Sequence, residues 1–130
     1  MKKLNRDIET RDKIIFGNYK DSKYRFGGTR SFRGLNVDTL KILLDQNFID
    51  PNETQNASPT VFEIYSFMEN YPLYTAHGYA VVDTRDDYRI SLEGVEKGGP
   101  ANSVEELKDY MNLFRYADEF DESTMFCWFD

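Results

Sequence analysis

The stretch at residues 76–94, AHGYAVVDTRDDYRISLEG, holds side chains that could perform chemistry, namely the chain's only histidine and three aspartates. His77 is the candidate general base, and Asp83, Asp86 and Asp87 are candidate carboxylate ligands for a metal ion. A general base needs an orienting group and a nucleophile or water to serve, but no nucleophile elbow or cysteine-centred motif accompanies this histidine. Aspartate is also a preferred turn residue, because its side chain hydrogen-bonds its own backbone. The stretch therefore predicts a β-hairpin with a charged, solvated turn.

Metal chemistry is disfavoured by the spacing of the ligands. The three aspartates lack the every-second-residue spacing of an EF-hand loop. A zinc ion would have only His77, Cys127 and carboxylates to bind. Glu93, Glu96 and Lys97 are not spaced on one strand face, as the Glu-x-Lys pair of a two-metal nuclease would be. We predict no catalytic residue, metal site or cofactor, so a hydrolase dependent on these carboxylates or on the histidine is the less favoured interpretation.

The helices that must position these residues are marked by capping signals. Asn36 is a good N-cap, and apolar residues follow it at helical spacing. Ser58 followed by Pro59 is typical of an N-cap and first helical position. Ser103, followed three residues later by a glutamate, indicates a capping box before the clearest amphipathic pattern in the chain. Sparse apolar positions over residues 3–15 are compatible with a further short helix.

The strand signals complete an α+β fold. Alternating apolar and polar residues predict strands at 78–82 and 88–95, and the ending STMFCWFD predicts a last strand whose edge could pair with a second copy. The stretch at 17–34 has no helical period and predicts a long loop or irregular strand pairs. The expectation is one domain over residues 1–130, with about three helices packed on a small antiparallel sheet that contains a hairpin near 78–95.

The order helix, helix, hairpin over residues 36–95 resembles a winged helix in element order alone. In such a fold the second helix would enter the DNA major groove and would need basic or amide side chains. The stretch PTVFEIYSFMENY has no lysine or arginine and carries two glutamates. Duplex recognition by this helix is therefore disfavoured.

Charge is distributed unevenly along the chain. Residues 1–35 carry ten basic and four acidic side chains, whereas residues 36–130 carry six basic and nineteen acidic ones, within a net charge of −7. Such segregation favours two interpretations: the basic segment lies across the acidic body, or it binds an external anion. No apolar signal-peptide core follows the first lysines, the apolar runs are short, and one cysteine excludes an internal disulfide. We therefore expect a cytoplasmic location and no membrane association.

Residues 19–34, YKDSKYRFGGTRSFRG, interleave aromatic and basic side chains around two glycines. Aromatic rings stack on unpaired bases while cations hold phosphates, so this segment predicts an alternative function, binding of nucleic acid or a phosphate ligand. The candidate binding residues are Tyr24, Arg25, Phe26, Arg30 and Arg33. The opposing interpretation is that these aromatics pack on the domain and these arginines pair with its acidic surface.

The favoured function is that of a protein-interaction module, such as an adaptor, an inhibitor or an immunity-type protein. A small acidic domain rich in tyrosine, without a catalytic constellation, suits a protein partner, and a basic one above all. The tail YADEFDESTMFCWFD places four carboxylates beside aromatic residues that are favoured at interfaces. The candidate binding residues there are Asp118, Glu119, Asp121 and Glu122. The sequence leaves the oligomeric state open.

Overall fold

Four helices and five strands form over residues 3–17, 24, 25 and 27–130, which are the residues described in this computed structural model. In chain order they are α1 (Ile8–Phe16), β1 (Thr29–Leu35), α2 (Val37–Asp45), α3 (Val61–Asn70), β2 (Thr75–Val81), β3 (Ile90–Glu96), α4 (Val104–Phe114), β4 (Glu119–Asp121) and β5 (Phe126–Trp128). The α+β class is confirmed, although the described part of the chain has four helices rather than about three.

Two antiparallel sheets are present among the described residues, one with strand order β1-β2-β3 and one formed by β4 and β5. The β2–β3 pair confirms the predicted hairpin, and its connecting turn holds the three aspartates. The carboxylate of Asp87 accepts hydrogen bonds from Arg89 at 2.7 Å and from Arg85 at 2.6 Å. These bonds hold the pKa of Asp87 below its usual value. The charged turn is thus organised by its own arginines.

Helices α2 and α4 begin where the capping residues predict. The Asn36 side chain accepts a hydrogen bond from the Thr39 N–H at 2.9 Å, and the Ser103 hydroxyl accepts one from the Glu106 N–H at 3.0 Å. The predicted capping box at α4 is only half formed. Glu106 directs its carboxylate to Lys97 and to the Asn102 N–H instead of back to the N-cap.

The predicted start of α3 at Ser58 and Pro59 is wrong, because the N-cap is Thr60. The Thr60 hydroxyl accepts from the Glu63 N–H at 3.1 Å, and the Glu63 carboxylate accepts from the Thr60 N–H at 3.0 Å. This reciprocal pair satisfies two backbone donors that the first turn would otherwise leave free. Ser58 serves the preceding loop, where its hydroxyl accepts from the Gln55 N–H.

Much of the basic segment packs against the rest of the domain. Residues 29–35 form an antiparallel strand beside β2 with one irregularity in register, not a loop. Arg11 of α1 is fully buried, and its guanidinium donates to the Val81 carbonyl at 2.9 Å and to the Tyr24 hydroxyl at 2.6 Å. The Arg11 Nε also donates to Asp12 at 3.0 Å. The described residues thus support the interpretation that this segment lies on the body.

An aromatic cluster forms part of the hydrophobic core. The Phe67 ring meets Tyr74, Tyr110 and Phe114 edge-on at centroid distances of 4.9, 5.9 and 5.3 Å. Such edge-to-face pairs add stability beyond the area they bury. No helix in the described ranges is both long and apolar enough to cross a bilayer.

Candidate functional site

The C-terminal hairpin of β4 and β5 lies against β3, where the sequence predicted a single last strand. A shift in the β2–β3 register falls between His77 and Gly78 and leaves Glu93 without a direct partner on β2. The free carbonyl of Glu93 accepts a hydrogen bond from the Phe129 N–H at 2.7 Å. A Cβ on Gly94 would lie 1.9 Å from the Cys127 carbonyl oxygen. This bulge and this glycine together allow β5 to approach β3 closely.

His77 of the larger sheet contacts the C-terminal hairpin through a hydrogen bond and a ring stack. Its side chain is 6% exposed, its Nε2 lies 2.8 Å from the Cys127 carbonyl oxygen, and its ring stacks on Phe126 at a centroid distance of 4.9 Å. A carbonyl can only accept, so Nε2 carries a proton and donates it. That nitrogen is therefore not available as a general base. His77 is thus a hydrogen-bonded residue of β2.

The buried histidine makes stability depend on pH. Desolvation lowers the pKa of His77 below its ordinary value of 6.5, although the hydrogen bond to Cys127 opposes this effect. The unfolded chain then takes up a proton at a higher pH than the folded one. We expect the free energy of unfolding to fall as the pH drops below about 6.5, measured by urea denaturation between about pH 8 and pH 5.

His77→Gln is the control for this pH dependence, because the chain has no other histidine. The variant should lose the pH-dependent component that belongs to His77, whatever its absolute stability. Curves of the same shape for the two proteins over this range would contradict the assignment.

An open cleft of about 440 Å³ lies where the C-terminal hairpin meets the larger sheet. We call it the Trp128 cleft. Phe126 and Trp128 of β5 are both half-buried and line it, because alternate residues of a strand share a face. The other lining residues are Ser31, Phe32, Arg33, His77, Gly78, Glu93 and Glu119. The cleft thus combines aromatic rings with carboxylates.

The charges of the Trp128 cleft are ordered by hydrogen bonds. The Trp128 indole N–H donates to Glu93 Oε2 at 3.2 Å, and Glu119 is the cross-strand partner of Trp128. Arg33 is 70% exposed and forms a two-pronged ion pair with Glu96, with Nη2 at 2.8 Å from both carboxylate oxygens. Two carboxylates therefore face the cleft beside an arginine that already has a partner.

The predicted basic binding residues lie in different surroundings. Arg30 places its guanidinium over the Phe16 ring, 3.6 Å from the centroid, whereas Arg33 lines the Trp128 cleft. The Tyr24 hydroxyl donates to Asp12 and accepts from the buried Arg11. The remaining two candidates are Arg25, which is exposed, and Phe26, which lies outside the described residues. Binding of a polyanion by this segment stays a prediction.

The four predicted acidic residues divide between two roles. Asp118 accepts from the Asp130 N–H at 2.8 Å, and Asp121 accepts from the Ser123 N–H at 3.0 Å and from its hydroxyl. These two carboxylates support the local chain. Glu119 lines the Trp128 cleft, while Glu122 borders a separate depression at the start of α4. Arg33 and Glu119, predicted for different functions, thus meet at one site.

Phe126, Trp128 and Glu93 are among the cleft residues that the sequence did not single out as binding residues. The alternation of aromatic residues in FCWF was a usable signal, since it places Phe126 and Trp128 on one face of a strand. The role of Glu93 depends on the bulge in β3, which no local pattern marks.

A second group of ionisable side chains surrounds Glu106, in the first turn of α4. Lys97 donates to both Glu106 oxygens at 2.8 and 3.1 Å and to the Pro100 carbonyl at 3.2 Å. The Tyr74 hydroxyl donates to the same carboxylate at 2.8 Å. Burial alone would raise the pKa of Glu106, but the bonds from Lys97, Tyr74 and the Asn102 N–H outweigh it and lower the pKa. All three ammonium protons of Lys97 have acceptors, so this is a structural ion pair.

No group of three or more histidine, cysteine or acidic residues within the described ranges could hold a metal ion. Comparison of the chain with models of protein families, with curated proteins and with solved structures finds no match. The chemistry of the Trp128 cleft is therefore the basis for a functional assignment.

Proposed function

We propose that this chain is a cytoplasmic protein-interaction module that binds a basic protein partner through the Trp128 cleft and catalyses no reaction. The observation that carries the proposal is the pairing of the half-buried Phe126 and Trp128 with the carboxylates of Glu93 and Glu119. The cleft would receive a lysine or arginine side chain of the partner.

Aromatic rings and carboxylates attract cations by complementary means. The face of an aromatic ring carries negative potential, and a cation over a tryptophan gains about 0.5–2 kcal/mol depending on its desolvation. An ionised carboxylate adds a charge-assisted hydrogen bond. The indole N–H of Trp128 holds Glu93 beside the ring. A cationic side chain would meet both kinds of group at once.

The surrounding charges favour the same ligand. Burial lowers the pKa of His77, so its ring stays neutral at pH 7 and does not repel a cation. Arg33 is paired with Glu96, and the whole chain carries a net charge of −7. An acidic molecule steers basic partners toward itself over about one Debye length.

The test is binding of a fluorescent Gly-Arg-Gly repeat peptide, measured by anisotropy at low and at high salt. Trp128→Leu should weaken binding by about tenfold, because it removes the ring that faces the cation. Glu119→Gln should weaken it less and should reduce its dependence on salt, because one of the two carboxylates remains.

Glu122→Gln is the matched control, since it removes a carboxylate of the same hairpin that does not line the cleft. It should leave the affinity unchanged. Equal losses in Glu119→Gln and Glu122→Gln would indicate attraction by overall charge and would refute the cleft as the site. Tighter binding of single-stranded RNA than of the peptide would replace this proposal with the nucleic-acid alternative.

A further inference from the structure

A groove of about 400 Å³ runs between α3 and α4, on a surface whose lining shares no residue with the Trp128 cleft. The two helices meet through Phe67, whose ring packs edge-on against Phe114 at 5.3 Å. Beside this contact, Phe67 and Leu113 supply apolar surface to the groove. The short side chains of Ser66 and Asn70 leave the space between the helices open.

Phe62 is a large apolar side chain that lines this groove and is exposed to solvent. It lies in the first turn of α3 and is 57% exposed, although its neighbours Val61 and Ile64 are buried. An exposed phenylalanine next to an apolar groove is typical of an anchor for a partner. Since Phe62, Ser66 and Asn70 follow one another at four-residue spacing, they form a single stripe along α3.

The charges around the groove have one sign. Its lining includes Glu63 and Asp109 and no cation. Helices α3 and α4 together carry five carboxylates, and Lys108 is their one basic side chain. The Tyr71 hydroxyl donates to Asp109 at 2.5 Å, which holds that carboxylate at the groove. A ligand with positive charges along its edges would complement the carboxylates that line the groove.

We propose that this groove binds an amphipathic α-helix of a partner protein, with apolar residues toward Phe62 and Leu113 and basic residues toward Glu63 and Asp109. A groove binds a helix through anchor residues at i, i+3 or i+4, and i+7, which lie on one face of that helix. On α3 the lining residues run from Phe62 to Asn70, a rise of about 12 Å, enough for such a set of anchors. This inference goes beyond the Trp128 cleft, because it assigns a second surface and a helical ligand.

The probe is a fluorescent peptide of about 14 residues, with leucines at helical spacing and lysines elsewhere. An isomer with scrambled leucine positions has the same charge and no apolar face. We expect the helical peptide to bind the full chain more tightly than its isomer, as measured by anisotropy. Phe62→Glu should weaken that binding by about tenfold or more.

Leu73→Glu is the matched control, because Leu73 is 69% exposed and borders a different depression. It should bind the helical peptide as the unchanged chain does. Phe62→Ala repeats the test without added charge and should also weaken binding. Circular dichroism of each variant confirms that the fold is retained.

Three outcomes would overturn the groove proposal. Equal binding of the two peptides would show that charge alone attracts them. Unchanged affinity in Phe62→Glu with a loss in Trp128→Leu would assign the peptide to the Trp128 cleft and would leave the proposed function standing. A dimer in sedimentation experiments that Phe62→Glu converts to a monomer would assign the groove to a second copy of the chain.

Discussion

Replacing Lys97 with methionine will lower the free energy of unfolding by about 3–5 kcal/mol, measured by urea denaturation at pH 7. The side chains of Lys97 and Glu106 are only 7% and 5% exposed. Removing the ammonium leaves a buried carboxylate without its cation, and methionine fills the space without compensating the charge. For an ordinary domain with a stability of about 5–15 kcal/mol, this is a large fraction of the total.

A double-mutant cycle separates the ion pair from packing. Glu106→Gln alone should also destabilise the fold, because it leaves the ammonium of Lys97 buried beside a neutral group. In the double variant, the side-chain amide that Glu106→Gln introduces keeps an oxygen acceptor for the Asn102 N–H, and its NH2 group can donate to the Tyr74 hydroxyl, so much of the loss should be recovered. A change below about 0.5 kcal/mol in Lys97→Met would contradict the structural role of the pair.

The same pair has a defined pH dependence. The pKa of Glu106 in the folded chain is lower than its ordinary value of 4.5. The stabilisation that Glu106 provides is therefore complete above about pH 4.5 and is lost as the pH falls through the lowered pKa. In Lys97→Met the carboxylate prefers its proton, so the destabilisation should be smaller at low pH than at pH 7.

Gly94→Ala will detach the C-terminal hairpin from the sheet and destabilise the fold by about 3 kcal/mol or more. The new methyl group would lie 1.9 Å from the Cys127 carbonyl oxygen and 2.9 Å from His77 Nε2. Relief of this clash requires β5 to move away from β3. That movement breaks the hydrogen bonds from His77 to Cys127 and from Phe129 to Glu93.

Fluorescence of Trp128 reports this change directly, because Trp128 is the only tryptophan and lies in the hairpin. Gly94→Ala should shift the emission of the native state to longer wavelength and lower the midpoint of urea denaturation. Gly99→Ala is the matched control, since its Cβ would meet no atom within 4 Å. If Gly94→Ala has the same native emission spectrum and the same urea denaturation midpoint as the control, the close approach of β5 to β3 is refuted.

The predictable parts of the fold are those with local causes. The alternation over residues 88–95 predicted β3, and the side chain of Asn36 predicted the start of α2. The start of α3 was misassigned, because Ser58 and Thr60 are both good N-caps. Only Thr60 has a glutamate three residues ahead that also closes the capping box.

The features that the sequence did not reveal depend on contacts between distant residues. Arg33 and Glu119 line one cleft only because the hairpin packs on β3, and that packing depends on Gly94 and on the bulge at Glu93. A glycine in a strand suggests close approach of another backbone but does not identify it. The half-formed capping box of α4 has a similar cause, since Glu106 serves Lys97 of another element.

The indole N–H resonance of Trp128 offers the most direct test of the Trp128 cleft, because the single tryptophan gives a single signal in a ¹H–¹⁵N spectrum. Titration with the Gly-Arg-Gly peptide should shift this signal progressively and to saturation, since the cation would approach the ring and the Glu93 carboxylate that the N–H holds. Shifts confined to other parts of the molecule, with an unmoved indole signal at saturation, would contradict the proposed function.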